Sequence, residues 1–110
     1  MDRIDRLQAA ILAFRRERDW EPFHSPRDLA MSLNVEAAEL LDLFLWQRNP
    51  AQDNPEALRD ELADVFFSAF LLAADLSLDV ETIVQEKLAK NAVKYPVEQA
   101  RGNNRKHDQL

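Results

Sequence analysis

The chain has 110 residues, 46% of them hydrophobic, and a formal net charge of −6. Its length fits one domain, and its charge disfavours passive binding to a nucleic-acid backbone, which needs clustered Lys and Arg to displace counterions. There is no apolar run near the length of about 18 residues that spans a bilayer and no signal-like apolar region, so we expect a soluble protein without a membrane partner; the absence of cysteine fits a cytoplasmic location.

The spacing of apolar residues and prolines predicts helices along the chain. The sequence contains one Gly, and its five Pro lie between periodic segments. We expect helices over residues 2–18, 26–47 and 55–76, the second and third each opened by a cap residue followed by proline. A fourth helix should begin after Asp79 and end before Pro96, because the residue before a proline resists helical geometry.

These helices predict an all-α fold, a four-helix bundle. A polar loop should run from Asn49 to Asn54. The predicted domain covers residues 1–96, and residues 97–110 form a polar C-terminal tail that we expect to be extended or partly disordered.

Four acidic residues lie on the apolar faces of two successive predicted helices. Glu36 and Glu39, and then Glu61 and Asp64, are each spaced i, i+3, so both members of a pair project from one side of their helix. Leucines share the face of Glu36, so its carboxylate points toward the core. Removing like charges from water is costly unless raised pKa values or a counter-charge offset it.

A divalent cation supplies that counter-charge most directly. All-oxygen ligands without cysteine favour Mg²⁺, with Mn²⁺ as an alternative, over zinc. Facing helices in a bundle core are the geometry in which carboxylate metal sites are assembled. The alternatives are solvated acidic faces and internal salt bridges to arginines.

The third predicted helix is apolar on nearly all sides. Phe66, Phe67 and Phe70 face away from the thin polar stripe that holds Glu61 and Asp64. The remaining helices of so short a chain cannot cover both apolar sides, so we expect the phenylalanine face to contact another subunit and form a homo-oligomer. The alternative is a helix buried at the centre of one chain.

Three polar residues follow one face of the fourth predicted helix. Lys87, Asn91 and Lys94 are spaced i, i+4 and i+7. Lysines as point charges and an amide that hydrogen-bonds suit a phosphate clamp beside the metal. The alternative is a solvated basic face.

Aromatic residues in and after the first connector are candidates for contacting a nucleobase. Trp20, His24 and Trp46 offer flat surfaces, and every base has a face that can stack. Ordinary core packing is the alternative. We expect His24 to form hydrogen bonds rather than to bind metal.

Segment 28–41 resembles a helix-turn-helix, with Asn34 where the turn would fall. Its would-be recognition helix bears Glu36, Glu39 and Asp42 and no basic residue. Such a surface repels phosphates, so we expect no nucleic-acid partner.

Several of these motifs together resemble one known family. Glu36-x-x-Glu39 followed by Glu61-x-x-Asp64 is similar to the metal signature of the all-α nucleoside triphosphate pyrophosphohydrolases, the MazG-like superfamily. Segments 18–26, 39–46 and 87–96 resemble most the dCTP pyrophosphatase branch. The resemblance covers most of the chain and leaves out only its two ends.

The resemblance implies a Mg²⁺-dependent hydrolysis of a nucleoside triphosphate to the monophosphate and pyrophosphate, in a tetramer or tight dimer. Carried over by position, it implies metal binding by Glu36, Glu39, Glu61 and Asp64. It implies contacts to phosphate or sugar by Lys87, Asn91 and Lys94. It implies contacts to the base by Trp20, His24 and Trp46. A metal-bound water would attack phosphorus, and if a separate catalytic base exists, it is Glu36 or Glu39.

Other functions stay open at this point. A phosphoribosyl-ATP pyrophosphohydrolase is related, although the tryptophan-containing connector favours a base-stacking pocket. A non-catalytic helical interaction module would use the carboxylates in salt bridges and the phenylalanine face for binding. The preferred base is also open, because Ile11 and Ser68 stand where the dCTP pyrophosphatase branch is expected to have a histidine and an aromatic hydroxyl.

Overall fold

The computed structural model describes residues 1–110, and all its regular elements are helices. The six α-helices are α1 Arg3–Glu17, α2 Pro26–Trp46, α3 Pro50–Asp53, α4 Pro55–Asp75, α5 Val80–Lys94 and α6 Val97–Ala100. Two short 3₁₀ helices are Glu21–Phe23 and His107–Gln109. The four long helices begin and end within a residue of the predicted positions, and the all-α prediction is confirmed. None of the helices combines the length and the apolar character needed to cross a membrane.

Local capping explains why the long helices begin where they do. Ser25 and Asp28 form a reciprocal capping box at the start of α2, followed by proline at the first helical position. At the start of α4, the side chain of Asn54 accepts a hydrogen bond from the backbone N–H of Ala57. At the start of α5, the side chain of Asp79 accepts one from the backbone N–H of Thr82. Each such cap satisfies a backbone N–H that the helix leaves unpaired, a contribution of about 1 kcal/mol.

Two predictions between and after the long helices were wrong in part. The expected loop from Asn49 to Asn54 contains α3, because Asn49 followed by Pro50 repeats the helix-opening pattern, and Pro50 is buried. The tail is not extended throughout: it contains α6 and a 3₁₀ turn, and the rings of Tyr95 and His107 meet edge to face at 5.9 Å. By contrast, α2 runs unbroken through Asn34, so the chain contains no helix-turn-helix there.

The chain divides into two compact units, Met1–Leu78 and Asp79–Leu110. In the first unit α2 packs mainly against α4, and α1 also packs against α4. Early residues of α2 lie opposite late residues of α4, as Ser32 does opposite Ser68, so the two helices are antiparallel. Leu29 and Leu71 form the most buried part of this interface, at 2% and 1% exposure.

One ion pair attaches α1 to the end of α4, with its arginine buried and its carboxylate partly exposed. The guanidinium of Arg15 donates two hydrogen bonds to Asp75, of 2.8 and 2.7 Å, and Arg15 is 6% exposed. The carbonyl of Arg15 also accepts hydrogen bonds from the backbone of Arg18 and Trp20. Asp19 sits between them with φ of 53°, a left-handed conformation that ends α1 and turns the chain into the connector.

We expect Asp75→Asn to lower the free energy of unfolding by about 2 kcal/mol, because it removes a charged hydrogen-bond acceptor and leaves Arg15 buried without a counter-charge. Glu17→Gln is the matched control, since Glu17 has only a 3.7 Å exposed pair with Arg18 and should change stability little. Urea unfolding of both variants measures the difference.

The contribution of the Arg15–Asp75 pair to stability should depend on pH. The hydrogen bonds from Arg15 hold the pKa of Asp75 below its ordinary value of 3.8. A carboxylate with a lowered pKa in the folded state stabilises the protein above its unfolded pKa, and this contribution is lost as the pH falls through the folded pKa. The gap between wild type and Asp75→Asn should therefore be full at about pH 7 and should close on strong acidification. A gap that does not depend on pH would contradict this account.

Candidate active site

Three of the four predicted metal ligands converge between α2 and α4. Carboxylate oxygens of Glu36, Glu39 and Glu61 all lie within 4.8 Å of one another. Glu36 and Glu61 are half-buried, whereas Glu39 is exposed at the edge of the interface. The i, i+3 spacing in α2 and the antiparallel packing of α4 therefore bring together carboxylates that are far apart in the sequence.

The cluster has an unbalanced negative charge. Burial is the largest cause that raises the pKa of Glu36 above 4.5, and the charges of Glu39 and Asp64 raise it further. Burial also raises the pKa of Glu61, followed by its hydrogen bonding with Glu39. One carboxylate oxygen each of Glu36 and Glu61 is buried without a hydrogen-bond partner.

No arginine neutralises these carboxylates. Within Met1–Leu78 the ion pairs are Arg15–Asp75 and Arg18–Glu17. The alternative that the acidic residues form internal salt bridges is therefore not observed in this unit. The carboxylate oxygens of the cluster lie close together and two of them have no hydrogen-bond partner, an arrangement that suits a divalent cation such as Mg²⁺.

Asp64, the fourth predicted ligand, lies beside the cluster rather than in it. It is exposed, and its charge adds to the raised pKa of both Glu36 and Glu61. Together with Glu36 it lines a cavity of about 230 Å³. The full lining of this cavity is Trp20, His24, Leu29, Ser32, Glu36, Asp64, Phe67, Ser68 and Leu71. We call it the inner cavity.

The aromatic connector forms one wall of the inner cavity. The rings of Trp20 and His24 meet at 6.2 Å, and Nδ1 of His24 is buried without a hydrogen-bond partner. Phe14 packs edge to face against both Trp20 and Phe67, at 5.8 and 5.9 Å. Trp20 keeps 38% exposure, so it is not fully buried in the core.

The structure does not bring every predicted site residue to this cavity. Trp46 is 80% exposed at the end of α2, where its indole N–H donates to Asp42 at 2.9 Å, and it does not line the inner cavity. Lys87, Asn91 and Lys94 lie on α5 in the second unit, where the two lysines are exposed and Asn91 is half-buried.

Sequence reasoning missed two features of the site. Ser32 and Ser68 face each other in the inner cavity, with their hydroxyl oxygens 3.4 Å apart. Their positions, one helical turn from Glu36 and Asp64 on the same faces, could have indicated that they meet. The contact of Phe14 with Trp20 was harder to predict from the sequence, because it depends on the left-handed backbone conformation of Asp19.

A second groove, of about 470 Å³, lies on the other side of the carboxylates. It is lined by Asn34, Val35, Ala38, Glu39, Asp42, Leu43 and Glu61. We call it the outer groove. The carboxylate cluster therefore lies between the outer groove and the inner cavity.

Comparisons with known proteins show which proteins this chain resembles. The human and rat proteins named dCTP pyrophosphatase 1 are 38% and 37% identical to this chain, over 100% of its length and 67% of theirs. The crystal structure of a pyrophosphatase from Archaeoglobus fulgidus superposes with a TM-score of 0.81 at 28% identity, covering 87% of this chain and 94% of that one. The sequence pattern of the MazG-like family matches residues 31–110, which include all four acidic residues of the site. The chain belongs to the MazG-like family.

Proposed function

We propose that this protein is a nucleoside triphosphate pyrophosphohydrolase, which converts a nucleoside or deoxynucleoside triphosphate to the monophosphate and pyrophosphate. The observation that carries the proposal is the convergence of three carboxylates with no counter-charge beside a cavity with an aromatic wall. The names of the similar proteins, dCTP pyrophosphatase and pyrophosphatase, support the same reaction class. They favour dCTP or a related triphosphate as the substrate.

Glu36, Glu39 and Glu61 are the residues that would hold a divalent cation, Mg²⁺ or Mn²⁺, with Asp64 as a fourth ligand at the edge of the cluster. When bound, such a cation neutralises phosphate charge and lowers the pKa of a water molecule. A carboxylate oxygen of Glu36 or Glu39 that stays free of the cation would accept the proton of the attacking water.

The remaining predicted contacts divide between the two units. Trp20 and His24, on the wall of the inner cavity, would border the base. Trp46 stays a predicted base contact, although it is exposed at the end of α2 in the single chain. For the triphosphate or the sugar we propose contacts from α5, by Lys87, Asn91 and Lys94.

We also propose that the chain forms a homo-oligomer. Phe66 is 54% exposed on α4, and together with Phe67 and Phe70 it lines an apolar groove of about 530 Å³ that leads to α1. Further exposed apolar side chains on α2 are Met31, Val35, Leu41, Phe44, Leu45 and Trp46. An uncovered apolar surface of this extent favours association, and a second copy of the chain offers matching faces on both helices.

Release of pyrophosphate from a panel of ribo- and deoxyribonucleoside triphosphates, with phosphoribosyl-ATP included, tests the reaction directly. We expect Mg²⁺-dependent release with a deoxynucleoside triphosphate as the best substrate. If phosphoribosyl-ATP is the preferred substrate, the protein is instead a phosphoribosyl-ATP pyrophosphohydrolase. The absence of pyrophosphate release from every compound would favour a non-catalytic module.

We expect Glu61→Gln to lower turnover at least a hundredfold, which corresponds to about 3 kcal/mol of lost transition-state stabilisation at the metal. Its neighbour Asp60 is the matched control, since Asp60→Asn also removes an acidic charge from α4 but no carboxylate of the cluster. In chelator, the melting temperature of Glu61→Gln should equal or exceed that of wild type, because fewer like charges crowd the interface. Near-wild-type turnover of Glu61→Gln would refute the metal site.

Protons and the cation should compete for the cluster. Because the pKa values of Glu36 and Glu61 are raised in the metal-free folded state, that state loses stability as the pH rises through them. Mg²⁺ then has less competition, so the rise in melting temperature on adding Mg²⁺ should be larger at about pH 8 than at about pH 5. Thermal melts of wild type and Glu36→Gln measure this; an equal Mg²⁺ effect at both pH values in wild type would contradict it.

For the oligomer, we expect Phe66→Glu to give monomers, because it places an unpaired charge in the proposed contact surface. Phe66→Leu is the control and should keep the wild-type assembly, since it preserves the apolar surface. Light scattering during gel filtration measures the mass of each variant. A wild-type protein that is monomeric at micromolar concentration would refute the assembly.

A further inference from the structure

The inner cavity changes in chemistry along the antiparallel pair of α2 and α4. Glu36 and Asp64 stand at one end, and Ser32 and Ser68 follow one helical turn deeper, a distance of about 6 Å along each helix. Beyond the serines, the nearly inaccessible Leu29 and Leu71 close the cavity. Carboxylates, hydroxyls and leucines thus succeed one another from the acidic cluster inward.

The serines are poorly satisfied where they lie. Ser68 is 4% exposed, and its hydroxyl meets only that of Ser32, at 3.4 Å, longer than a good O–H···O hydrogen bond. Neither hydroxyl donates to a carbonyl of its own helix, the usual way in which a serine inside a helix is satisfied. Nδ1 of His24, on the same cavity, is also buried without a partner.

Leaving a buried polar group unpaired is unfavourable, because the group loses its hydrogen bonds to water and gains none in the protein. A serine hydroxyl can donate or accept, and a neutral imidazole nitrogen can do either according to its tautomer. The three groups can therefore match the mixed donors and acceptors at the edge of a planar heterocycle. Trp20 and Phe67 supply aromatic surface beside them, and the acidic end supplies the place for phosphates.

We propose that the hydroxyls of Ser32 and Ser68, with Nδ1 of His24, hydrogen-bond the edge of the nucleobase and determine which base the enzyme accepts. The inference rests on the proposed function for the direction of the nucleotide, with its phosphates at the carboxylates. A base whose edge does not match would leave the buried hydroxyl of Ser68 and Nδ1 of His24 unpaired, which is the strongest way in which a site rejects a close analogue.

The test measures kcat and KM of wild type, Ser68→Ala and Ser32→Ala for dCTP, dTTP, dUTP, dATP and dGTP. Each alanine variant should lower kcat/KM for the preferred base at least tenfold, mainly through KM, and should lower the ratio of preferred to next base by a similar factor. Ser68→Thr keeps a hydroxyl and should retain most of the discrimination. Ser77→Gly, which removes an exposed hydroxyl at a φ of 56° outside the cavity, is the control and should leave all ratios unchanged.

Calorimetric binding of the corresponding deoxynucleoside monophosphates provides a readout that needs no turnover. An active wild type whose base ratios and monophosphate affinities are unchanged in both alanine variants overturns the inference and leaves the reaction standing; the serines would then hold only water. An inactive wild type that binds one monophosphate, with an affinity that Ser68→Ala weakens, supports the inference and overturns the reaction. If Ser68→Ala does not fold, Ser32→Ala decides, because Ser32 is only half-buried.

Discussion

The crowding of like charges between α2 and α4 is the constraint on which the rest of this molecule depends. Glu36, Glu39 and Glu61 repel one another, yet the most extensive helix packing in the first unit is the packing that holds them together. Leu29 and Leu71, buried in the same interface, supply the apolar contacts that oppose this repulsion. The interface therefore combines well-packed leucines with an unbalanced negative charge, which a bound cation would offset.

The ion pair of Arg15 and Asp75 has the opposite character. Its charges are matched and joined by two short hydrogen bonds, although Nε of Arg15 is buried without a partner, and it attaches α1 to the far end of α4. Because the carbonyl of Arg15 also receives the backbone of Trp20, the pair positions the aromatic connector beside the cavity. The ion pair thus helps to position the aromatic wall of the cavity, whereas carboxylates without a counter-charge form its acidic end. The two lie at different points along α4, and no salt bridge joins them.

Much of this arrangement could be predicted from the sequence, because local signals determine it. Cap residues followed by proline located the helix starts, and the 3.6-residue period placed the carboxylates of α2 and α4 on inward faces. The register of one helix against the other is not a local property, so the pairing of Ser32 with Ser68 was missed. The sequence also did not indicate that Trp46 is exposed, because whether another element covers the end of α2 is not a local property; its one hydrogen bond is to Asp42 on the same helix.

The carboxylates lie between two cavities that differ in their lining. Glu39 is exposed and lines the outer groove, whereas Glu36 lines the inner cavity. Asp64 is also exposed and lines the inner cavity, so neither side of the cluster is closed to solvent. A nucleotide with its base in the inner cavity, as we propose, would therefore place its phosphates at carboxylates that border both cavities.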